Sequence, residues 1–389
     1  MLYSQYKAKT DIGGLFASGD DDPSTVKFVF RYSPLIGRHY FGDLLDGHKN
    51  LGQRGSYFGL SYIFYWLTKD FSYEIVFVMF VLFGIVVCGL SIKRWLGIVS
   101  DDQKNMVYAL HFSYPFVFAA DRGQMHLLIG YLFALGLSFV VNAQGDEKVL
   151  ARGQLALAAA FSMKLFPSIA FAFFPNFWSL RRWKVLISSL IVLVLVPIFY
   201  LQQKFKFFTS AFESEEVYNL PYYFGASQSF NTSLKALIFN FQSAVFQNLF
   251  DFLFLNYFII YLVYALVAIF FISGKSIRSH ERLLVGAIIS ISIAPIAAVY
   301  CQTIVAACAL SSLTCDQFVS NFRRRLYVLV VLISIVPFNV PLKSDPINRW
   351  RIQNVIVPLA QHAYVVTMCV VVAIGYLSSR RNSTTVENL

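Results

Sequence analysis

From residue 73 to residue 377 long apolar runs alternate with short polar breaks, and Phe, Leu, Ile, Val and Ala dominate the runs. Seven of the runs predict membrane spans, at 73–92, 106–120, 125–142, 185–201, 257–273, 326–341 and 355–377. A crossing helix needs about 20 apolar residues, and some of these are a few short. Two longer stretches, 154–175 and 283–313, contain Pro167 and Pro295. Proline lacks an N–H and clashes with the preceding helical turn, so each stretch reads as a pair of short helices with a break between them. The pattern predicts an all-α, polytopic integral membrane protein of about 9 to 11 helices, including two short hairpins. Apolar sequence over such a length exceeds what one soluble core needs.

Charge gives the runs a direction. The formal net charge is +11, but the basic residues fall in short clusters at span ends, so they report orientation and imply no nucleic-acid partner. These clusters are Lys93-Arg94, Lys148 with Arg152, Arg181-Arg182 with Lys184, Lys275 with Arg278 and Arg282, Arg323-Arg324-Arg325, and Arg380-Arg381. The positive-inside rule places them together in the cytoplasm. A single crossing by 154–175 would put Arg181, Arg182 and Lys184 opposite Lys148 and Arg152, whereas a re-entrant hairpin breaking at Lys164-Leu165-Phe166-Pro167 keeps both ends inside. The same reasoning makes 283–313 a second hairpin, bent near Pro295.

This topology describes a multi-pass protein of the plasma (inner) membrane. Its outer face carries residues 1–72, the break at 121–124, the tip near Lys164, the long loop 202–256, and 343–354; the tail 379–389 is cytoplasmic. Residues 73–378 form the transmembrane domain. Within 1–72 no span is visible, and the piece 56–67 reads as an interfacial helix with Tyr57, Tyr62, Tyr65 and Trp66 at the headgroup level. A basic n-region followed by an apolar h-region is not visible either. Outward placement of this segment therefore calls for an upstream helix, a different start, or the 73–92 span acting as a reverse anchor.

Chemistry is expected where the apolar pattern fails. Asp121-Arg122-Gly123-Gln124 joins two runs with almost no loop around an ion pair, and Lys164 interrupts the apolar stretch 155–174. A charge in lipid costs several kcal/mol at the centre and less at the edge, so groups kept there usually face a protein-lined cavity. Ahead of the first span, His39-Tyr40-Phe41-Gly42-Asp43 and Asp46 supply carboxylates that can act as a general base on a sugar hydroxyl. For a single loop acid the simpler reading is solvation, as for Asp20-Asp21-Asp22, which is flanked by Gly and by Pro-Ser. In the loop 202–256, Asn219-Leu220-Pro221-Tyr222-Tyr223 and the stretch from Gln228 to Ser233 offer amides, hydroxyls and aromatic faces. That composition suits sugar recognition and equally suits an interfacial loop. Cys301, Cys308 and Cys315 recur every seven residues, and with Cys88 and Cys369 they read as small packing residues, with no metal or disulfide pattern.

Taken in order, these motifs resemble the polytopic, polyprenyl-phosphate-sugar-dependent glycosyltransferases of the GT-C class, especially the actinobacterial mannosyltransferase-like branch. His39-Tyr40-Phe41-Gly42-Asp43 is similar to the family's first outer loop with its catalytic Asp, Arg122-Gly123-Gln124 to its Gly-Gln opening a span, Lys164-Leu165-Phe166-Pro167 to its Lys-x-x-Pro break, and Asn231-Thr232-Ser233-Leu234 to its Asn-x-Ser-Leu element. The likeness runs over residues 39–235, and the last third matches in hydropathy alone. One departure is the absence of a membrane helix before the first outer loop.

The resemblance implies transfer of one sugar from a lipid-phosphate carrier to a lipid or glycan acceptor on the outer side, inverting, with Asp43 as base and Asp46 in reserve. A polyprenyl-phosphate leaving group needs cationic stabilisation in a low-dielectric place, for which Lys164, Arg349, Arg351 and Arg122 are the outer-side candidates. His39, Asp121, Gln124, His126, Gln228 and Asn231 are candidates for positioning substrate. Arg349 and Arg351 equally suit lipid headgroups beside Trp350, and Lys164 equally suits a structural bridge to Asp121. Neither a cofactor nor a metal is expected. A lipid or solute transporter would carry internal repeats and midplane sites; no repeat is visible. A polysaccharide polymerase or ligase shares the many spans and the large outer loop, but not the early outer-loop Asp with a Lys-Leu-Phe-Pro hairpin.

Overall fold

The computed structural model describes residues 59–68, 70–121, 123–143, 145–164, 166–174, 180–200, 257–272, 277–292, 299–314, 318–336 and 352–386. Every element among them is helical. In chain order the helices are α1 (Gly59–Thr68), α2 (Tyr73–Leu96), α3 (Lys104–His111), α4 (Tyr114–Asp121), α5 (His126–Val141), α6 (Glu147–Met163), α7 (Lys184–Tyr200), α8 (Tyr257–Ile272), α9 (Ser279–Ser292), α10 (Thr303–Leu310), α11 (Asn321–Ile335) and α12 (Ile352–Val386). Short 3-10 turns at Asp101–Gln103, Phe166–Phe173, Leu180–Trp183, Val299–Gln302 and Ser311–Thr314 connect several of them.

Length and exposure separate an outer shell from an inner core. Ile75–Leu96 in α2 and Ile356–Leu377 in α12, 22 residues each, are long and apolar enough to cross a membrane; at 1.5 Å per residue each covers roughly 33 Å, against a hydrocarbon core of about 30 Å. These helices turn large apolar side chains outward, among them Leu82, Ile85 and Val86 of α2 and Ile374 of α12, and α8 does the same with Ile259 and Phe270. So continuous an apolar surface suits lipid and not water. In contrast α9 is buried along nearly its whole length and α10 along all of it, and α5 is buried from His126 to Ala134. Among the described residues α5 packs against α2, α6 and α10.

Small residues set the closest approach in this core. A Cβ on Gly136 would lie 2.7 Å from Leu157 Cγ, and one on Gly153 would lie 2.9 Å from the Gly136 carbonyl oxygen. Bare glycine at both positions lets the α5 and α6 backbones meet, the usual device where lipid supplies no hydrophobic drive between helices.

Contacts along these helices fix their directions. Phe133 packs against Phe161 with tilted rings, centroids 5.8 Å apart, while Gly136 meets Gly153 further along, so α5 and α6 are antiparallel. Gly84 faces Leu127, Trp95 Nε1 donates to the Ala134 carbonyl at 3.0 Å, and the Arg94 guanidinium lies 4.4 Å over the Phe139 ring, so α2 runs parallel to α5. The bundle therefore has two distinct ends. One holds Arg94 and the starts of α6, α7, α9 and α11; the other holds the start of α5 and the ends of α6 and α9.

At the first end the polar groups tie helices together. Gln154 donates from Nε2 to the Arg182 carbonyl at 2.7 Å and accepts from Leu186 N–H at 2.9 Å, so the chain leaves along α6 and returns to the same end before α7 begins. The break falls at Lys164, whose extended backbone (φ −152°, ψ 127°) ends α6, and the following 3-10 turn brings Phe174 back to within 6.4 Å of Phe133. That reversal is the one expected for 154–175, although α6 starts earlier, at Glu147, because Asp146 caps it by accepting from Lys148 and Val149 N–H. Arg323 forms a bidentate ion pair with Glu281, joining the basic clusters at 278–282 and 323–325. Glu281 also accepts from Arg278 N–H at 3.1 Å, the reach-back bond of a capping box, and Ser320 caps α11 by accepting from Arg323 N–H.

Two expected spans differ in detail. The stretch 106–120 is split into α3 and α4, because Ser113 opens a new helix, its carbonyl accepting from Phe116 and Val117 N–H, and Pro115 sits in the first turn where a missing N–H costs nothing. The stretch 326–341 begins at Asn321, so its arginines lie inside α11 and not ahead of it.

Candidate functional site

Three predicted site residues, Gln124, His126 and Lys164, gather at the second end of the bundle. Each owes its place to a break in a helix. At the first break, Gly123 adopts φ 56°, its N–H donates to the Ala120 carbonyl at 3.1 Å, and Gln124 N–H donates to the Ala119 carbonyl at 2.9 Å. These two bonds are a Schellman motif, and glycine fits the left-handed position because no Cβ opposes it. The chain restarts at once: Gln124 carbonyl accepts from Leu127 N–H at 3.0 Å and His126 opens α5. Gln124 and His126 are buried by this turn, at 3% and 0% exposure.

At the second break α6 stops and Lys164 follows it, half-buried. A helix end leaves carbonyls without intrahelical partners, and Ser61 of α1 donates to the Met163 carbonyl at 3.4 Å. Irregular backbone in an apolar bundle is tolerated where protein covers the freed groups, and α1 provides part of that cover. Lys164 lies close enough to His126 for its charge to act on the ring. The end of α5 presented here is the N-terminus, the positive end of its dipole, and Lys164 adds a full positive charge. Cation and helix dipole together favour an anion at this end.

Neighbouring side chains make the site deeper than these three residues. Cys301 Sγ lies 3.4 Å from His126 Nε2, and Thr303 Oγ1 donates to the His126 carbonyl at 3.3 Å. Between them, Gln302 accepts from Gln361 Nε2 at 2.7 Å, and the same nitrogen donates to Ser334 Oγ at 2.9 Å. The next residue, His362, bridges Tyr264 and Ser292, at 2.9 Å from Nδ1 and 3.2 Å from Nε2. Ser292 donates its own proton to the Ile288 carbonyl at 2.7 Å, so it accepts from His362 Nε2–H, and Nδ1 accepts from the Tyr264 hydroxyl. Of these partners the sequence singled out Cys301 alone, as a small packing residue. The signal was present, since Gln361-His362 interrupts the apolar run 355–377 as Lys164 interrupts its own.

Asp121 closes α4, its side chain undescribed. His39, Asp43, Asp46, Arg122, Gln228, Asn231, Arg349 and Arg351 lie outside the described residues, as does the whole loop 202–256. At the second end of the bundle α1 begins beside Met163, α8 begins near Ile289 through the Tyr261 hydroxyl, α11 ends just past Ser334, and α12 begins two to three turns before Gln361.

Comparison with known proteins adds one finding. The model of glycosyltransferase family 87 matches residues 59–299, more than half of the chain. No curated protein and no solved structure matches it. The matched stretch includes Arg122, Gln124, His126, Lys164, Gln228 and Asn231, and leaves out His39, Asp43, Asp46, Arg349 and Arg351.

Proposed function

The chain belongs to glycosyltransferase family 87, a GT-C-type membrane family, and from that premise we propose that it transfers one sugar from a polyprenyl-phosphate donor to a lipid or glycan acceptor on the outer face of the plasma membrane. It is a membrane glycosyltransferase. The donor class, a hexose or pentose such as mannose, and the inversion of configuration are our reading, as are the multi-pass topology and the outward-facing site. The actinobacterial mannosyltransferase-like motifs at residues 39–235 support it.

The observation that carries the reading is the meeting of Lys164, His126 and the N-terminus of α5 where two helices break. A phosphate leaving group gains negative charge as the glycosidic bond breaks, and a preorganised cation in a water-poor place stabilises that charge most effectively. Lys164 supplies it as a point charge; Arg122, Arg349 and Arg351 are further candidates that would hold phosphate oxygens bidentately. Asp43, with Asp46 in reserve, removes the proton from the acceptor hydroxyl as its oxygen attacks the anomeric carbon from the face opposite the leaving phosphate. His39, Asp121, Gln124, His126, Gln228 and Asn231 orient the two substrates. The carrier lipid brings the activated sugar, so this chemistry calls for no cofactor.

Membranes containing the protein, incubated with radiolabelled polyprenyl-phosphate sugars, test the reading. Asp43→Asn is expected to lower transfer by roughly 10²- to 10⁴-fold, the range typical of a lost general base, with membrane yield unchanged. Normal turnover by that variant removes the assignment of Asp43. Absence of transfer by the wild-type protein from every polyprenyl-phosphate sugar removes the donor class.

A further inference from the structure

We propose that Gln302 and Gln361 are positioning residues, a buried amide clamp that holds His126 beside Lys164. The proposal rests on the transferase reading for its kinetic consequence, but not for its geometry.

The direction of each bond between Gln302, Gln361 and Ser334 follows from the partners. Ser334 donates its proton to the Val330 carbonyl at 2.8 Å, so its oxygen accepts from Gln361. Gln361 Nε2 then uses both of its protons, one on Ser334 Oγ and one on Gln302 Oε1. All three residues are buried, at 0% for Gln302 and 1% for Gln361 and Ser334. Three elements distant in the chain, the 3-10 turn Val299–Gln302, α11 and α12, are thereby joined through one nitrogen.

Gln302 occupies the N-cap position of α10 yet its side chain makes no capping bond. Ser, Thr, Asp or Asn would stabilise that helix start by capping it, so the residue at this position favours the contact with α12 over the local one. An apolar pair of similar shape would be nearly as stable as a buried amide pair. What the amides add is a defined register. They lock Gln302, and with it Cys301 and Thr303, the two residues that touch His126 at its ring and at its carbonyl. Thr303 also fills the notch at Gly130, where a Cβ would fall 2.7 Å from Thr303 Cβ, so the first turn of α5 is held against the start of α10. His362 secures the same turn of α12 to α8 and α9.

The variant Gln302→Leu with Gln361→Leu removes both amides without orphaning either. Folding is expected to be kept, with a melting temperature close to wild type. Transfer from polyprenyl-phosphate mannose is expected to show kcat about tenfold lower with donor KM within about twofold, since misplacement of a reacting group by roughly 1 Å can cost up to 10²-fold. In a His126→Asn background the same pair of changes is expected to have no further effect, because residues acting through one another are not additive. Equal losses in both backgrounds would overturn the proposal.

A physical readout stands apart from the donor. Alkylation by N-ethylmaleimide, quantified by peptide mass spectrometry, is expected to be several-fold faster at Cys301 in the double variant and unchanged at Cys308, which is buried in α10 away from the clamp. Unchanged Cys301 labelling, or equal acceleration at both cysteines, would overturn the clamp. If the wild-type protein transfers nothing from a polyprenyl-phosphate sugar, the donor reading falls and the labelling still decides the clamp.

Discussion

The two ends of the helix bundle place their polar groups differently. At the basic end the bonded polar groups serve helix starts and one ion pair: Glu281 holds Arg323 and the N–H of Arg278, Gln154 joins the 3-10 turn Leu180–Trp183 to α7, and Asp146 and Ser320 cap helix starts. At the other end polar residues sit where helices stop. Lys164 follows a terminated α6, and Gln124 and His126 belong to the turn that ends α4 and starts α5. The first arrangement is architecture, made of local caps and one ion pair. The second exposes helix ends and a cation to one region, an arrangement costly for a fold and useful for binding charge.

The largest expected effect belongs to the architectural end. Glu281→Ala leaves Arg323 buried without its carboxylate, which typically costs about 3–5 kcal/mol. Thermal unfolding in detergent should show the loss, while activity per folded molecule stays at the wild-type level. Adding Arg323→Leu to Glu281→Leu should recover most of the stability, since an apolar pair replaces an ion pair at little cost. A fall in activity per folded molecule would erase the distinction between the ends.

At the polar end Lys164→Ala reverses that pattern. Loss of a charge-assisted bond to the donor phosphate is worth roughly 1.5–3 kcal/mol, so donor KM should rise at least tenfold while the melting temperature moves little, and Lys164→Arg should retain part of the affinity. Unchanged donor affinity with reduced stability would place Lys164 beside Arg323 as a structural cation.

How far the sequence could be read follows the same division. Breaks were legible because a few residues make them: the polar stretch Asp121-Arg122-Gly123-Gln124 between two apolar runs, and Lys164 ahead of Pro167 for the reversal of 154–175. The basic clusters were legible through their spacing, and the ties among Gln154, Arg182, Glu281 and Arg323 agree with their common end. The kink between α3 and α4 was missed because the hydrophobicity of 106–120 outweighed Ser113 and Pro115. The Gln302–Gln361 pair was missed for a different reason: its partners are 59 residues apart, and nothing local to either announces the other. Asp43, Arg349 and the loop residues Gln228 and Asn231 still rest on motif and charge, since they lie outside the described residues.

The smallest expected effect is a pH dependence confined to the basic end. His280 precedes the apolar stretch 283–313 and is fully buried, with neither ring nitrogen hydrogen-bonded among the described residues. Phe318 and Tyr327 pack edge-on against it, at centroid distances of 4.5 and 5.5 Å, and the charged groups around it are Glu281, Arg278 and Arg323. Burial first, then the positive charges of Arg323 and Arg278, lowers its pKa from 6.5 to about 4. Above pH 6.5 the ring is neutral folded or unfolded and costs nothing. As the pH falls below 6.5 the unfolded chain takes up a proton that the folded one refuses, so stability declines progressively until about pH 4. Between pH 7 and pH 6 the loss is about 0.7 kcal/mol by this linkage. Thermal unfolding at the two pH values should therefore show a drop in the wild-type protein that His280→Phe reduces, while the donor KM of the polar end stays the same in both proteins. A pH slope unchanged by His280→Phe would assign the titration to another group, and a donor KM that follows His280 would mean that the two ends are energetically coupled.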